Sequence, residues 1–235
     1  MKILVHGASG RMGKELIKII EDGYKSFSLS GAITRDIDNF QGQADCIIDF
    51  SNHMATENLV SFAVKKKLPL VIATTGHNED EFNTINDASK IIPIFMSANM
   101  SLGIALLVEL AKKAVLTMPD ADIEIIEKHH NRKLDAPSGT ALMLANEIKK
   151  VKPELEFNLG RSGYEKRDRN EIGIHAIRLG NIVGEHEVII GTDTQTINLK
   201  HQAHSRSLFA EGALVAAEFL ISQDAGLYSM HDMIG

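Results

Sequence analysis

Short apolar runs alternate with segments of helical periodicity along the first hundred residues of the chain. Five runs predict strands, and most are apolar throughout, as parallel strands are when both faces of their sheet are buried. The five runs are Lys2–His6, Ser28–Ile33, Asp45–Phe50, Leu70–Ala73 and Ile91–Met96. Helical spacing follows the first run at Met12, Leu16, Ile19 and Ile20, and the third at Leu59, Phe62 and Ala63. This alternation predicts right-handed crossovers and an α/β fold with a doubly wound parallel sheet of the Rossmann type.

The pattern changes after Asn99. A long apolar helix with Ser101 as its N-cap is followed by a strand of alternating polarity and by a second helix. Three strand-like runs then come without a helix between them, and turns at Gly180-Asn181 and Gly191-Thr192-Asp193 predict that they pair antiparallel. The predicted helices are Ser101–Met118, Ser138–Lys150 and Leu208–Ile221, and the predicted strands are Ala121–Lys128, Ile172–Leu179, Gly184–Ile190 and Thr196–His201.

These two patterns predict two domains. Residues 1–100 form a dinucleotide-binding domain, which the C-terminal helical segment, residues 208–235, completes. Residues 101–207 form a second, α+β domain with a mixed or antiparallel sheet, inserted before the last helix. The segregation of strands in the second part, in contrast to their alternation with helices in the first, separates the two architectures.

Composition and charge narrow the classes of function. Of 235 residues, 44% are hydrophobic and 24% charged, which is close to the average for soluble globular proteins and argues against disorder. Lys and Arg number 25 against 31 Asp and Glu, so we expect no nucleic-acid partner. Cys46 is the only cysteine, and the most apolar helical stretch contains Glu109 and two lysines. We therefore expect a cytoplasmic enzyme or small-molecule binder without a disulfide or a membrane span.

A glycine-rich segment, Gly7-Ala8-Ser9-Gly10-Arg11-Met12-Gly13, follows the first strand and opens the first helix. Glycines at such a turn let the backbone approach a pyrophosphate, whose charge the helix N-terminus stabilises. The spacing GxxGxxG is a variant of the usual dinucleotide fingerprint, with Ser9 where the second glycine often lies. A glycine-rich turn without a ligand is the structural alternative. The position after the first strand favours the dinucleotide.

Two other uses of this loop are excluded by its neighbours. A phosphate-binding P-loop needs Ser or Thr after its lysine to hold magnesium, whereas Glu15 follows Lys14 here. A short-chain dehydrogenase needs a tyrosine with a lysine four residues on, and none of the three tyrosines has one.

The ends of three predicted strands carry small polar side chains or an arginine. In an open parallel sheet the carboxyl ends of the strands line the ligand crevice. Thr34 and Arg35 stand where an acidic residue usually contacts the adenosine ribose, and Arg35 is placed to bind the 2′-phosphate of NADPH, although Asp36 follows it. Thr74-Thr75-Gly76 and Ser97-Ala98-Asn99 end two further strands. Ordinary capping and turn formation is the alternative for each of these loops.

The segment Glu127–Ala141 combines two adjacent histidines, a lysine and a helix start at Pro137-Ser138-Gly139-Thr140. Adjacent histidines on a strand point to opposite faces, so we expect no metal site here. Lysine and helix N-terminal amides bind carboxylates, and a histidine can then transfer a proton. The segment predicts a site for a small dianionic substrate, with a solvated basic loop as the alternative. The charged segment Arg161–Arg169 is most simply a solvated loop.

The segment from His129 to Ala141 closely resembles the signature of the 4-hydroxy-tetrahydrodipicolinate reductase family, also called dihydrodipicolinate reductases. Further parts match in order: Gly7–Gly13, Ala73-Thr74-Thr75-Gly76, Ala98-Asn99-Met100-Ser101, His175-Ala176-Ile177-Arg178 and Gly184-Glu185-His186. The resemblance covers essentially the whole chain. It implies reduction of a cyclic dicarboxylate imine by NADPH or NADH on the route to diaminopimelate and lysine.

The resemblance also implies roles for individual residues. His129 corresponds to the family's proton donor and acceptor and Lys133 to a proton donor, so these are the predicted catalytic residues. His130, Gly139 and Thr140 correspond to substrate contacts. The predicted cofactor contacts are Gly7, Ala8, Ser9, Gly10, Arg11, Met12, Arg35, Ala73, Thr74, Thr75, Ser97, Ala98, Asn99 and Met100. The family forms homotetramers through the sheet of its second domain, which implies the same assembly here.

The chain departs from the family pattern in two places. Thr34 occupies a position that is often acidic, which leaves the choice between NADH and NADPH open, and the loop 36–43 is short. Two alternative functions are a non-catalytic dinucleotide sensor and a related dehydrogenase of the aspartate or homoserine type. A sensor would not need His129 with Lys133, and the other dehydrogenases would lack the helix start after paired histidines.

Overall fold

The computed structural model describes residues 1–235 and divides into two compact units. The first unit is built on a sheet of parallel strands. The first unit comprises Met1–Leu102 and Arg206–Gly235, and the second Gly103–Ser205. The strands are β1 Lys2–His6, β2 Ser28–Ile33, β3 Cys46–Asp49, β4 Leu70–Ile72, β5 Pro93–Met96, β6 Asp122–His129, β7 Glu156–Asn158, β8 Glu171–Arg178, β9 Gly184–Gly191, β10 Thr196–Ala203 and β11 Gly226–Tyr228. The helices are α1 Arg11–Glu21, α2 Thr56–Lys66, α3 Glu79–Ser89, α4 Leu102–Thr117, α5 Gly139–Val151, α6 Ser207–Leu220 and α7 Met230–Ile234.

The sheet of the first unit has six parallel strands in the order β11-β5-β4-β3-β1-β2. Every residue of β3 and β4 is buried, because helices cover both faces of a doubly wound sheet. Leu59 and Phe62 of α2 and Ile85 of α3 belong to the core on one side. The predicted Rossmann-type sheet is confirmed, and its carboxyl ends bring the loops after β1, β2, β3 and β4 to one edge.

The pattern of apolar runs does not predict three elements of the first unit, α3, β11 and α7. Helix α3 has few apolar residues, but a capping box fixes its start, where the Asn78 side chain accepts from the Glu81 amide and Glu81 accepts from the Asn78 amide. The prediction of a helical segment over 208–235 is wrong beyond Leu220. There α6 ends, and the chain forms β11 and α7. Strand β11 has three residues and exists through its pairing with β5, which no local pattern shows.

The second unit contains a five-stranded mixed sheet in the order β10-β9-β6-β8-β7. Strand β6 pairs parallel with β8 and antiparallel with β9. Its alternation buries Ile123 and Ile125 against α4 and α5, whose core residues include Leu107 and Leu144. The predicted helix–strand–helix order and the mixed α+β architecture are confirmed.

The predicted antiparallel pairing of the last three strands is correct only for β9 with β10. Strand β8 does not pair with β9, because β6 lies between them. Residues 179–183 therefore form a connection across one strand rather than a tight hairpin turn, whereas the amide of Thr192 bonds the carbonyl of Gln195 in a short turn between β9 and β10. None of the helices has the length and apolar character that a membrane span needs.

Candidate active site

The glycine loop of the first unit depends on backbone packing that no larger residue permits. Gly7 has φ +81°, and a Cβ there would lie 2.6 Å from the carbonyl of Phe50. A Cβ on Gly13 would lie 2.3 Å from the carbonyl oxygen of Gly7. The loop is tied to β2, since the amides of Gly7 and Ala8 both donate to the carbonyl of Ile33, at 2.8 and 3.0 Å. Helix α1 thus starts next to the carboxyl end of β1.

The start of α1 is open to an anion. Gly10 is its N-cap, no side chain caps the first turn, and no acidic residue lies in that turn. Amide groups there carry the positive end of the helix dipole. Beside them lies a cavity of about 470 Å³, whose lining residues are His6, Gly7, Ser9, Gly10, Thr34, Arg35, Phe50, Ser51, Asn52, Met54 and Ala55. This geometry fits a dinucleotide whose pyrophosphate faces α1.

The cavity brings together only some of the predicted cofactor residues. Gly7, Ser9, Gly10 and Arg35 line it. Ala8 and Met100 are buried, and the buried Thr74 hydroxyl donates to the Asp49 carboxylate at 2.6 Å. The other predicted contacts lie in α1 or in the segments after β4 and β5. For all of them, contact with a cofactor stays a prediction.

In the second unit, a buried carboxylate orients the predicted catalytic histidine. Glu127 and His129 lie two residues apart on β6, so both side chains leave the same face, and His129 Nδ1 is 2.6 Å from Glu127 Oε2. Glu127 also accepts from both terminal nitrogens of Arg178, at 2.8 and 2.7 Å, and from the Ser138 amide at 2.9 Å. Burial opposes the charge of Glu127, but the bonds from His129, Arg178 and Ser138 outweigh it and lower its pKa from 4.5 to about 2.

This arrangement leaves one nitrogen of His129 for chemistry. The carboxylate of Glu127 accepts the proton of Nδ1, so Nε2 is the atom that can accept or release a proton. A Cβ on Gly184 would lie 3.2 Å from Nε2. The glycine therefore keeps a side chain away from this nitrogen.

A second histidine supports the start of α5. The Ser138 hydroxyl accepts from the Ala141 amide at 3.2 Å as the N-cap of α5 and lies 3.1 Å from His186 Nε2. Burial, followed by the nearby charge of His129, lowers the pKa of His186 from 6.5 to about 4. His186 is therefore neutral near pH 7, and its Nε2 shares a hydrogen bond with the Ser138 hydroxyl.

The loop between β6 and α5 carries Lys133 and the exposed backbone of Gly139. Lys133 Nζ pairs with Asp135 Oδ2 at 2.9 Å. Arg178 anchors this loop by donating to the Asp135 carbonyl at 2.6 Å, in addition to its bonds with Glu127. The cation of Lys133 contributes to the low pKa of His186, which places it within electrostatic reach of the histidine pair.

The structure thus groups His129 with the loop of Lys133 and with the N-terminus of α5, where Gly139 and Thr140 lie. The His130 amide bonds the Ile182 carbonyl at 2.8 Å, which fixes the backbone of the predicted substrate residue. No group of three or more His, Cys, Asp or Glu side chains is arranged to hold a metal ion.

Four residues of this site received no role from the sequence: Glu127, Arg178, Gly184 and His186. The spacing of Glu127 two residues before His129 on a strand is a signal that could have found it. Arg178 lies opposite His129, and His186 lies opposite Glu127, across neighbouring strands. Those positions follow only from the strand order, which the sequence pattern predicted incorrectly.

Comparison with known proteins gives matches along the whole chain. The family model described as "Dihydrodipicolinate reductase, N-terminus" matches residues 1–100, and the one described as "Dihydrodipicolinate reductase, C-terminus" matches residues 103–234. Two curated relatives are called 4-hydroxy-tetrahydrodipicolinate reductase. The protein from Caldanaerobacter subterraneus subsp. tengcongensis is 48% identical, with 100% of this chain and 98% of the relative covered. The protein from Clostridium novyi is 45% identical, with 99% and 98% covered.

A solved structure shares the fold. It is the dipicolinate-bound dihydrodipicolinate reductase from Paenisporosarcina sp. TG-14, with a TM-score of 0.81 at 21% identity, and the alignment covers 100% of this chain and 99% of that one.

The lowered pKa of His186 predicts how stability depends on pH. In the unfolded chain this histidine gains a proton as pH falls through about 6.5, whereas in the folded chain it does so only near 4. The unfolded state binds more protons between those values, so the free energy of unfolding falls there, by up to about 3 kcal/mol. His186→Gln should reduce this pH dependence in urea titrations at pH 7, 5.5 and 4.5. The exposed His204→Gln is the matched control. An unchanged pH dependence in His186→Gln would contradict the assignment.

Proposed function

The chain belongs to the dihydrodipicolinate reductase family, and we propose that its first unit holds the nicotinamide cofactor while its second holds the dicarboxylate substrate. The chain is an NAD(P)H-dependent oxidoreductase that reduces 4-hydroxy-tetrahydrodipicolinate in diaminopimelate and lysine biosynthesis. The observation that carries the proposed roles is the Glu127–His129 pair beside the start of α5.

The glycine loop supports cofactor binding in the first unit. A side chain at Gly7 or Gly13 would collide with the backbone. Because both positions are glycine, the loop amides can approach a cofactor bound at the start of α1. The cavity beside it is lined by Arg35 and Thr34, which would hold the adenosine end. When bound, the reduced nicotinamide supplies the hydride. The loop amides and Arg35 bind and orient the cofactor and take no part in proton transfer.

His129 is the proposed proton-transfer residue. Its Nδ1 donates to Glu127 Oε2 at a distance of 2.6 Å. This bond selects the tautomer with the proton on Nδ1 and leaves Nε2, on the other side of the ring, for proton transfer. A proton released at Nε2 would reach the ring carbon next to the one that receives the hydride. The contact with Glu127 also fixes the orientation of the imidazole ring for that step.

Lys133 and the start of α5 are the proposed carboxylate anchors. Lys133 already binds one carboxylate, that of Asp135, which is mostly exposed. A substrate carboxylate can replace Asp135 as its partner, and the amides of Gly139 and Thr140 can bind a second anionic group. His130 is a proposed further contact to the substrate. Lys133 then neutralises the dianion and holds the ring in reach of His129.

Substitution of His129 and Lys133 should separate proton transfer from substrate anchoring. His129→Ala should lower kcat by about 10²–10⁴-fold with little change in substrate binding. Lys133→Ala removes a charge-assisted contact worth about 1.5–3 kcal/mol and should weaken binding, with kcat falling as well. Steady-state kinetics with freshly generated substrate, followed by nicotinamide absorbance, gives both constants.

Binding of pyridine-2,6-dicarboxylate, a planar mimic of the substrate ring, completes this test. It should bind His129→Ala nearly normally and Lys133→Ala poorly. Lys133→Arg, which keeps the charge, is the matched control and should recover much of the affinity. Equal binding by the two alanine variants would show that the anchor lies elsewhere in the second unit.

Arg35 should favour NADPH. Its position at the cavity, after Thr34 rather than after an acidic residue, predicts that NADPH is used at least as well as NADH. Arg35→Ala should weaken NADPH binding on the order of tenfold or more and leave NADH nearly unchanged, because only NADPH has the 2′-phosphate. Titration calorimetry with both cofactors measures this, and NADH is the internal control. Equal losses for the two would exclude contact between Arg35 and the phosphate.

A homotetramer formed through the sheet of the second unit is the assembly we propose, as the family resemblance implies. Within the chain, β10 pairs on one side only, which leaves its other edge available to a second copy. Light scattering at micromolar concentration should give four times the mass of 25.8 kDa. A fully active monomer would contradict this proposal. The single, buried Cys46 is in keeping with a reducing cytoplasm, where we place the enzyme.

A further inference from the structure

His6, the last residue of β1, lines the cofactor cavity and contacts two hydrogen-bond acceptors. Its Nδ1 is 2.8 Å from Asp49 Oδ1, and its Nε2 is 3.1 Å from the carbonyl oxygen of Arg35. A neutral imidazole carries one N–H and can satisfy only one of these acceptors. Both contacts are therefore hydrogen bonds only if one more proton is present on the His6–Asp49 pair.

The surroundings of Asp49 place that proton on His6. Asp49 accepts from the Thr74 hydroxyl at 2.6 Å and from the Ser51 amide at 3.1 Å. With Nδ1 of His6, three hydrogen-bonding groups surround this carboxyl group. Both members of the pair are buried, with side-chain exposures of 1% and 3%. With the proton on His6, the pair consists of an imidazolium and a carboxylate whose charges compensate each other, so no unpaired charge is buried.

The electrostatic surroundings agree with this protonation state. Burial lowers the pKa of His6, but the hydrogen bond and the charge of Asp49, with the bond to the Arg35 carbonyl, raise it above 6.5 overall. Asp49 is the charged group that His6 contacts, and it comes from the neighbouring strand β3. The charged side chains of Arg35 and Asp36 after β2, and of Arg11 on α1, are exposed to solvent.

We propose that His6 is a positioning residue for the cofactor, whose protonated imidazole ties the Arg35 backbone to Asp49 and so sets the Arg35 side chain for the 2′-phosphate. The proposal rests on the role proposed above for Arg35. It assigns a function to a buried ion pair that neither the glycine loop nor the reaction requires.

The protonation state of the His6 imidazole should therefore control the affinity for NADPH. Loss of this proton removes the N–H of His6 that donates to the Arg35 carbonyl. The unprotonated Nε2 and the carbonyl oxygen are then two acceptors that face each other. The segment that carries Arg35 is then free to move, and a contact made through its guanidinium weakens. NADH has no 2′-phosphate, so its affinity should change much less.

Three variants test this in the full-length chain. His6→Phe keeps an aromatic ring and removes both ring nitrogens. His6→Gln keeps one amide donor but does not titrate. The exposed His231→Gln, on α7, is the matched control. The dissociation constants of NADPH and NADH are measured by titration calorimetry between pH 7 and 9.5, above the range in which the 2′-phosphate itself titrates, together with kcat at saturating cofactor.

The wild-type chain and His231→Gln should lose NADPH affinity as pH rises, with a smaller change for NADH. His6→Phe should bind NADPH on the order of tenfold more weakly at pH 7 and lose this pH dependence, with kcat within about twofold of wild type. His6→Gln should recover part of the affinity without the pH dependence. Wild-type NADPH affinity and pH profile in His6→Phe would overturn the proposal.

The protonation state is measured independently of any variant. In wild-type chain labelled with ¹⁵N-histidine, both ring nitrogens of His6 should be protonated at pH 7 by NMR, and a single protonated nitrogen would overturn the proposal. If the unaltered chain bound neither NADPH nor NADH, the failure would lie with the proposed cofactor site itself.

Discussion

The charge of Glu127, fully buried in the second unit, is the interaction on which the proposed chemistry there depends. A carboxylate removed from water costs several kcal/mol unless donors replace its hydration. Here the donors are His129 from the same strand, Arg178 from β8 and the Ser138 amide from the start of α5. One charge therefore orients His129, the proposed proton-transfer residue, and bonds to the neighbouring strand and to the helix start. Loss of Glu127 would leave the partly buried Arg178 without its carboxylate partner and remove the bonds to all three groups at once.

Each unit contains a buried histidine–carboxylate pair, His6–Asp49 in the first and His129–Glu127 in the second, and the two pairs differ in what faces the second ring nitrogen. His6 meets the carbonyl of Arg35, an acceptor that keeps a proton in place. His129 meets Gly184, which presents no side chain and leaves the nitrogen accessible. The same kind of pair thus contacts the backbone after β2 in one unit and contains the proposed proton-transfer residue in the other. The difference lies in the backbone that surrounds the ring.

Local patterns in the sequence predicted the elements and loops whose structure depends on residues close along the chain. The apolar runs located β1 and β2 to the residue, and the glycine spacing located the loop that packs against Phe50. The segment from His129 to Thr140 located the site of the second unit. Properties that depend on distant residues were missed. Strand β6 lies between β8 and β9 because its alternating face completes the core of α4 and α5, and β11 exists only beside β5. Arg178 and His186 reach Glu127 and Ser138 across strands, so their roles follow only from the register.

The ion pair of Lys133 with Asp135 has a consequence for the effect of salt. A dianionic substrate that binds a free cation should lose affinity steeply as ionic strength rises, because screening weakens only the bound state. Here the cation already has a partner, and screening weakens that pair too. In the proposed role of Lys133, substrate binding exchanges one carboxylate for another at the same ammonium group. Affinity at this position therefore depends less on the salt concentration of the cell than the two charges of the substrate would suggest.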